Sequence, residues 1–155
     1  MILEIEVDRT AWNDISDPEP QLRAAAQATE AALGVDLSGT VLAISLLTDD
    51  AVAELNRQWR NKAGPTNVLS FPAAKGMPIP PGEPRPLGDI MLAAGVVRYE
   101  AAQQNKSLEH HLVHLAVHGI LHLMGYDHIN EAEAEEMERL EVDILNVLGI
   151  ANPYT

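Results

Sequence analysis

All six histidines of the 155-residue chain fall between His110 and His128, and three of them have the spacing of a metal site. His118 and His122 are four residues apart, so on a helix their imidazoles project from the same face, one turn apart. Gly125 stands where such a helix can end in the left-handed conformation, after which the chain can bring His128 back towards the pair. Three neutral imidazoles with one tetrahedral position left open are typical of catalytic zinc. The spacing predicts one Zn²⁺ per chain, at a site that another divalent transition metal could also occupy.

The other three histidines carry weaker signals. His114 lies one helical turn before His118, and we expect it either to line a cleft or to donate a hydrogen bond behind the metal ligands. His110 and His111 are predicted to be surface residues, because nothing beyond proximity distinguishes them. They are not expected to bind the metal.

The spacing H-x-x-x-H-x-x-G-x-x-H is shared with the metzincin proteases, in which a glutamate general base directly follows the first histidine. In this chain that position is Gly119, which cannot accept a proton. A zinc ion can nevertheless lower the pKa of its water to about 7 without such a base. The pattern therefore predicts a metzincin-like zinc helix without peptidase activity, suited to a substrate whose own charge needs a cationic partner.

The segments that must position these residues read as alternating strands and helices. Apolar periodicity, caps and breakers predict strands at 2–7, 41–47, 68–71 and 87–92, and helices at 18–33, 49–60, 94–104, 107–124 and 130–149. A proline-rich loop over 73–86 is long enough to be functional. Since no repeat or linker divides the chain, we expect a single α+β domain over 1–155, with a small mixed sheet of about four strands packed with about five helices.

Composition excludes several classes of protein. The chain has no cysteine, which rules out a disulfide framework and a thiolate metal site. No apolar run is long enough to span a bilayer and the N-terminus is unlike a secretory signal, so a cytoplasmic protein without a membrane partner is expected. The net charge of −13 argues against nucleic-acid partners. However, seven basic and three acidic residues between Arg57 and Lys106 give that segment +4, which on charge alone indicates only a solvated surface.

Four segments together resemble the bacterial YbeY family, the metal-dependent endoribonucleases of ribosomal RNA maturation. The string from His118 to His128 resembles the family's histidine signature, and Leu55-Asn56 with Arg60 is similar to its conserved-arginine helix. Thr-Asn-Val-Leu-Ser-Phe-Pro at 66–72 and Leu-Gly-Asp-Ile at 87–90 resemble two of its strands. The resemblance runs from about residue 42 to 149. Asn67 is a departure, because the family usually has aspartate there, and any carboxylate role at that position is lost.

The resemblance implies a zinc-dependent single-strand endoribonuclease that acts in ribosomal RNA processing and in ribosome maturation and quality control. Its implied partners are single-stranded or ribosomal RNA and the ribosome or ribosomal proteins, with no DNA. It implies that His118, His122 and His128 are the zinc ligands and that Arg60 is the catalytic or substrate-binding arginine. A planar guanidinium suits bidentate contact with a phosphate. Without the family match, Arg60 would be interpreted as a surface ion pair.

Some assignments remain open at this point. Asp127, beside His128, either orients a ligand imidazole through a hydrogen bond or caps the last helix. Ser70 and Asp89 are on strands that could border the cleft, without an assigned role. Two other functions also fit the sequence: a ribosome-assembly binding factor whose metal is chiefly structural, and a zinc hydrolase of another substrate.

Overall fold

The computed structural model describes residues 1–76 and 78–155. Within these residues the chain forms four strands and five helices, and the predicted α+β class is confirmed. In chain order they are β1 (Ile2–Val7), α1 (Glu19–Leu33), β2 (Thr40–Leu47), α2 (Asp49–Arg60), β3 (Val68–Pro72), β4 (Arg85–Ala93), α3 (Ala94–Gln103), α4 (Leu108–Leu123) and α5 (Glu131–Val147).

The four strands form one mixed sheet in the order β1-β2-β4-β3. Strands β1, β2 and β4 run parallel, whereas β3 pairs antiparallel with β4. Parallel neighbours need a long crossover, which α1 supplies between β1 and β2, and α2 together with β3 supplies between β2 and β4. This topology places β3 at an edge of the sheet. The edge position matters because β3 carries the residues that face the candidate site.

Helix α4 is the centre of the molecule. Eleven of its 16 residues are buried, since one of its sides packs on the sheet and another on α1 and α5. Leu112 and Ile120 contact the sheet side of the core, while Val117 and Leu121 pack with Ile144 of α5. The apolar residues of α4 accordingly lie on more than one face, and its polar residues are one glutamate and five histidines. It is also a rigid support for any side chain that it carries.

Side-chain caps fix where three of the helices begin. The backbone N–H groups of Ala51, His110 and Glu133 donate to the side chains of Thr48, Ser107 and Asn130 at 3.1, 3.1 and 2.9 Å. Helix α3 lacks a cap of its own, and Asp49 supplies one from the start of α2. Its Oδ1 accepts from Gly95 N at 2.8 Å and from Val96 N at 3.2 Å. One carboxylate therefore ties two helices together.

The predicted loop over 73–86 is two residues too long, because β4 already begins at Arg85. Arg85 and Pro86 pair with Thr40 and Val41 of β2. The pairing with β3 begins only at Gly88, so β4 has a single neighbouring strand at Pro86. A proline, which lacks an N–H donor, is tolerated in a strand at such a position. The density of prolines in this segment concealed the strand.

Candidate metal centre

A tight turn at the end of α4 positions the third histidine of the predicted triad. Gly125 adopts φ +99°, and its N–H donates to the carbonyl of His122 at 3.0 Å. The N–H of Tyr126 donates to the carbonyl of Leu121, also at 3.0 Å. These two bonds form a Schellman motif, which reverses the chain after the helix. His128 returns to the pair on α4 as a result.

The three imidazoles of the predicted triad lie together. One ring nitrogen from each of His118, His122 and His128 lies within 4.8 Å of the others. The Nε2 atoms of His118 and His122 are 3.0 Å apart. Exposure rises along the group, from 23% for the His118 side chain to 55% for that of His128. The group is therefore anchored in the protein at one end and open to solvent at the other.

A buried carboxylate lies directly behind His118. Glu141 of α5 is fully buried, and its Oε1 lies 2.5 Å from His118 Nδ1. The hydroxyl of Tyr154, near the C-terminus, donates to the other oxygen. Burial alone would raise the pKa of Glu141, but the hydrogen bonds from His118 and Tyr154 outweigh it and lower the pKa. An ionised carboxylate only accepts, so His118 carries its proton on Nδ1 and leaves Nε2 free as a ligand.

Sequence reasoning missed both Glu141 and Tyr154. The position of Glu141 offered a signal, because Met137, Ile144 and Leu145 at helical spacing predict the buried face of α5 and Glu141 falls on that face. A carboxylate on a core stripe needs a buried partner. Nothing local marked Tyr154, whose contact depends on how the C-terminal segment folds back.

His114 belongs to the same buried network behind the triad. It is 8% exposed, and its Nε2 lies 3.5 Å from the Tyr154 hydroxyl and 3.8 Å from Glu141 Oε1. Lys106 Nζ lies 3.4 Å from its Nδ1. Burial lowers the pKa of His114 to about 4, so the imidazole is neutral at pH 7. Of the two roles expected for His114, this position fits the one behind the ligands.

His111 corrects the prediction that it is a surface residue. It is 2% exposed, because α3 covers the face of α4 on which it lies, and its Nε2 is 2.9 Å from Glu100 Oε1. The same carboxylate accepts from the Asn67 amide at 3.0 Å. Asn67 therefore links the start of β3 to α3 as a donor, which an aspartate could not do while ionised. His110 is exposed, as predicted.

Asp127 does not cap the last helix, because Asn130 does so. Its Oδ1 instead accepts from the backbone N–H of His128 at 2.8 Å. The same oxygen lies 3.8 Å from His128 Nδ1, which is beyond hydrogen-bond distance. Asp127 thus holds the backbone of His128. Among the described contacts, its carboxylate forms no hydrogen bond with the His128 imidazole.

Gly119 allows α4 to approach the sheet closely beside the triad. A Cβ added at this position would lie 3.0 Å from Ile90 Cδ1 and 3.1 Å from Ser70 Oγ. A larger residue at this position would therefore require Ile90 and Ser70 to move by a few tenths of an ångström. The glycine lacks the proton acceptor of a metzincin base and fits the close approach of α4 to the sheet.

A cleft of about 720 Å³ joins the triad to Arg60. Its walls come from the end of α2, from β3 and from the turn after α4, and Lys62 and Ser70 also line it. Within the described residues no carboxylate forms an ion pair with Arg60, unlike Arg57, which pairs with Glu54. Asp89 is exposed on β4, on the face of the strand opposite Ile90.

The donor set fits a divalent metal of the zinc type. Three imidazole nitrogens converge, one of them has its tautomer fixed by Glu141, and the group opens on a cleft. Burial, and next the neighbouring His118, lower the pKa of His122, so that its imidazole is neutral at pH 7. These three residues could hold one metal ion.

Comparison with known proteins identifies relatives over nearly the whole chain. A sequence model of the family described as Endoribonuclease YbeY matches residues 7–149. Endoribonuclease YbeY of Rhodopseudomonas palustris is 47% identical over 151 residues, which cover 97% of this chain and 80% of that protein. The protein of the same name from Azorhizobium caulinodans is 46% identical over 156 residues, covering 99% and 96%. That of Chelativorans sp. is 52% identical over 137 residues, covering 88% and 80%.

A solved structure agrees on the fold. The solution structure of a protein from Thermotoga maritima matches with a TM-score of 0.58 at 22% identity, over 96% of this chain and 92% of that one. At this identity the likeness concerns the architecture alone. With the family match and the identities above, the chain belongs to the YbeY family.

Proposed function

We propose that this chain is a zinc-dependent endoribonuclease that cleaves single-stranded RNA in ribosomal RNA processing and in ribosome maturation and quality control. The observation that carries the proposal is the cleft, in which three convergent imidazoles and an arginine without a carboxylate partner among the described residues face the same space. Relatives named Endoribonuclease YbeY at 46–52% identity support the substrate class.

In this proposal His118, His122 and His128 hold the zinc ion. The chemistry that zinc supplies when bound in such a site is the activation of water near neutral pH. Arg60 binds the phosphodiester through two parallel N–H donors and stabilises the charge that develops on its oxygens. Glu141 keeps the His118 imidazole oriented, with its Nε2 directed into the site.

The partners follow from the same site. RNA contacts the protein mainly through the cleft, because the chain carries a net charge of −13 and repels a polyanion elsewhere. We expect weak binding that is lost as salt rises, an activity in the cytoplasm on the ribosome or ribosomal proteins with their RNA, and no binding to DNA or membranes. No described helix is both long and apolar enough to cross a membrane.

The test compares cleavage of single-stranded and duplex ribosomal RNA fragments by purified protein, with a chelator and after zinc is restored. We expect cleavage of the single strand alone, loss with chelator and recovery with zinc. Circular dichroism of the chelated protein is recorded in parallel. If chelation unfolds the protein and zinc-loaded protein binds RNA without cleaving it, the proposal is wrong and the metal is structural, as in an assembly factor.

A further inference from the structure

The chemistry proposed above does not use Trp59, the most exposed aromatic side chain in the described part of the molecule. Trp59 lies in the last turn of α2 and is 70% exposed, whereas Trp12, the other tryptophan of the chain, is fully buried. A side chain of this size gains most when its apolar faces are covered. A flat apolar ligand that covered these faces would gain binding energy from the contact.

Trp59 stands at the rim of the cleft. Its neighbour along the chain, Arg60, lines the cleft, and so does Asn56 one turn earlier on the same side of α2. The centroid of the Trp59 ring lies 6.4 Å from that of Phe71 of β3, at an interplanar angle of 57°. Phe71 also lines the cleft. We call Trp59 and Phe71 the aromatic rim.

The charges next to the aromatic rim restrict what can bind there. Arg60 and Lys62 both line the cleft, in a protein whose net charge is −13. A ligand that contacts these cations and the aromatic rim together presents both an anionic group and a flat apolar face. An unpaired nucleotide has both, whereas a duplex keeps the faces of its bases inside the helix.

We propose that Trp59 stacks on an unpaired base of the RNA strand, with Phe71 supporting the indole, while Arg60 and Lys62 contact neighbouring phosphates. This inference rests on the proposed function and adds a residue that selects single strands over duplexes. Stacking is tolerant of sequence, because every base has a π face. Trp59 therefore contributes to the choice of strand rather than to the choice of sequence.

The two tryptophans provide the readout. Zinc-loaded wild-type protein is titrated with a phosphorothioate-linked oligouridine of about 12 nucleotides, a length within the usual site size of single-strand binding proteins. Trp59 emission should be quenched, while the buried Trp12 is unaffected. An abasic strand of the same length and a duplex should quench little. Trp59→Phe retains only the Trp12 signal and should show no quenching.

Variants then separate stacking from folding. Trp59→Ala should raise the dissociation constant for the strand about 10-fold and raise the KM for RNA cleavage more than it lowers kcat. Trp59→Phe should keep most of the affinity by fluorescence anisotropy of a labelled strand. Tyr99→Ala is the matched control, because Tyr99 is 66% exposed on α3 and should leave binding unchanged.

The outcomes distinguish this inference from the proposed function. If Trp59→Ala cleaves RNA at the wild-type rate and binds the strand with unchanged affinity, the proposed stacking is wrong and the proposed function is unaffected. Equal quenching by the abasic strand would also overturn the stacking, since it would show a purely ionic contact. If wild-type protein cleaves no RNA, the proposed function is wrong. The comparison of quenching by the oligouridine and by the abasic strand then decides whether the aromatic rim binds single strands. The same comparison, made on wild-type protein, is the test if Trp59→Ala is unfolded.

Discussion

Arg60 and Arg57 lie three residues apart at the end of α2, but they face different surroundings. Arg60 lines the cleft, while Arg57 pairs with Glu54 in solvent. Arg60→Lys should already reduce the kcat of RNA cleavage, because an ammonium cannot reproduce the planar fork. Arg60→Leu should cost more, of the order of several kcal/mol in transition-state stabilisation. Cleavage rates, zinc content and melting temperature are measured together.

Arg57→Leu is the matched control for Arg60, since an exposed ion pair contributes at most about 1 kcal/mol. It should cleave as wild type does. Full activity in Arg60→Leu would remove the catalytic role. Inactivity accompanied by lost zinc or by unfolding would instead make Arg60 a structural residue.

Glu141 should control the metal rather than the substrate. Glu141→Gln keeps the size of the side chain but replaces an ionised acceptor by an amide that also donates. We expect the affinity for zinc to fall about 10- to 100-fold, as is typical when the partner behind a histidine ligand is changed. Zinc titration against a competing chelator measures this without reference to activity. Tyr154→Phe should shift the affinity in the same direction by less, and unchanged affinity in Glu141→Gln would contradict the assignment.

At the scale of elements, sequence predicts most of the fold, and three of the five helices begin at a capping side chain close in sequence. Thr48, Ser107 and Asn130 each cap the helix that follows them. Each side chain accepts a hydrogen bond from the backbone N–H three residues later. Their caps and the apolar periodicity place every strand and helix to within a few residues. The start of β4 was missed because its pairing with Thr40 and Val41 of β2 is distant in sequence.

The candidate site divides in the same way. Helical spacing and a glycine turn are local features. The sequence therefore predicts the group of His118, His122 and His128 that the structure contains. Glu141 reaches His118 only through the packing of α5 against α4. The burial of His111 likewise depends on where α3 lies. The spacing of residues along one helix does not identify the partner that another helix supplies.

The link between α2 and α3 gives a prediction at this scale. Asp49→Ala leaves the N–H groups of Gly95 and Val96 without their acceptor, so unfolding free energy should fall by about 1 kcal/mol. Asp50→Ala, in the same first turn of α2, is the control and should cost less. Urea denaturation of the two variants measures the difference. Equal losses would mean that only the charge near the start of α2 matters.

At the scale of the whole molecule, the buried network behind the triad predicts acid sensitivity. Burial lowers the pKa of His114 to about 4 in the folded protein, against about 6.5 in the unfolded chain. Between about pH 4 and pH 6.5 the unfolded state therefore binds a proton that the folded state does not. The resulting stability is complete above pH 6.5 and declines as pH falls towards 4, by about 3 kcal/mol at most.

Chemical denaturation of metal-free protein at about pH 7 and pH 5 measures this loss. His114→Gln should lose less stability over that interval than wild type, because it has no imidazole to protonate. His110→Gln is the control, since His110 is exposed on the same helix and should behave as wild type does. A wild-type loss that His114→Gln reproduces in full would assign the acid sensitivity to other groups.

The most direct test of the account concerns His128, which only the turn after α4 brings to the other two histidines. Zinc per chain and zinc affinity are measured for wild type, His128→Ala and His110→Ala, with RNA cleavage on the same preparations. We predict one zinc ion in wild type and in His110→Ala, and a greatly weakened site with no cleavage in His128→Ala. Unchanged zinc stoichiometry and affinity in His128→Ala would contradict the three-histidine centre.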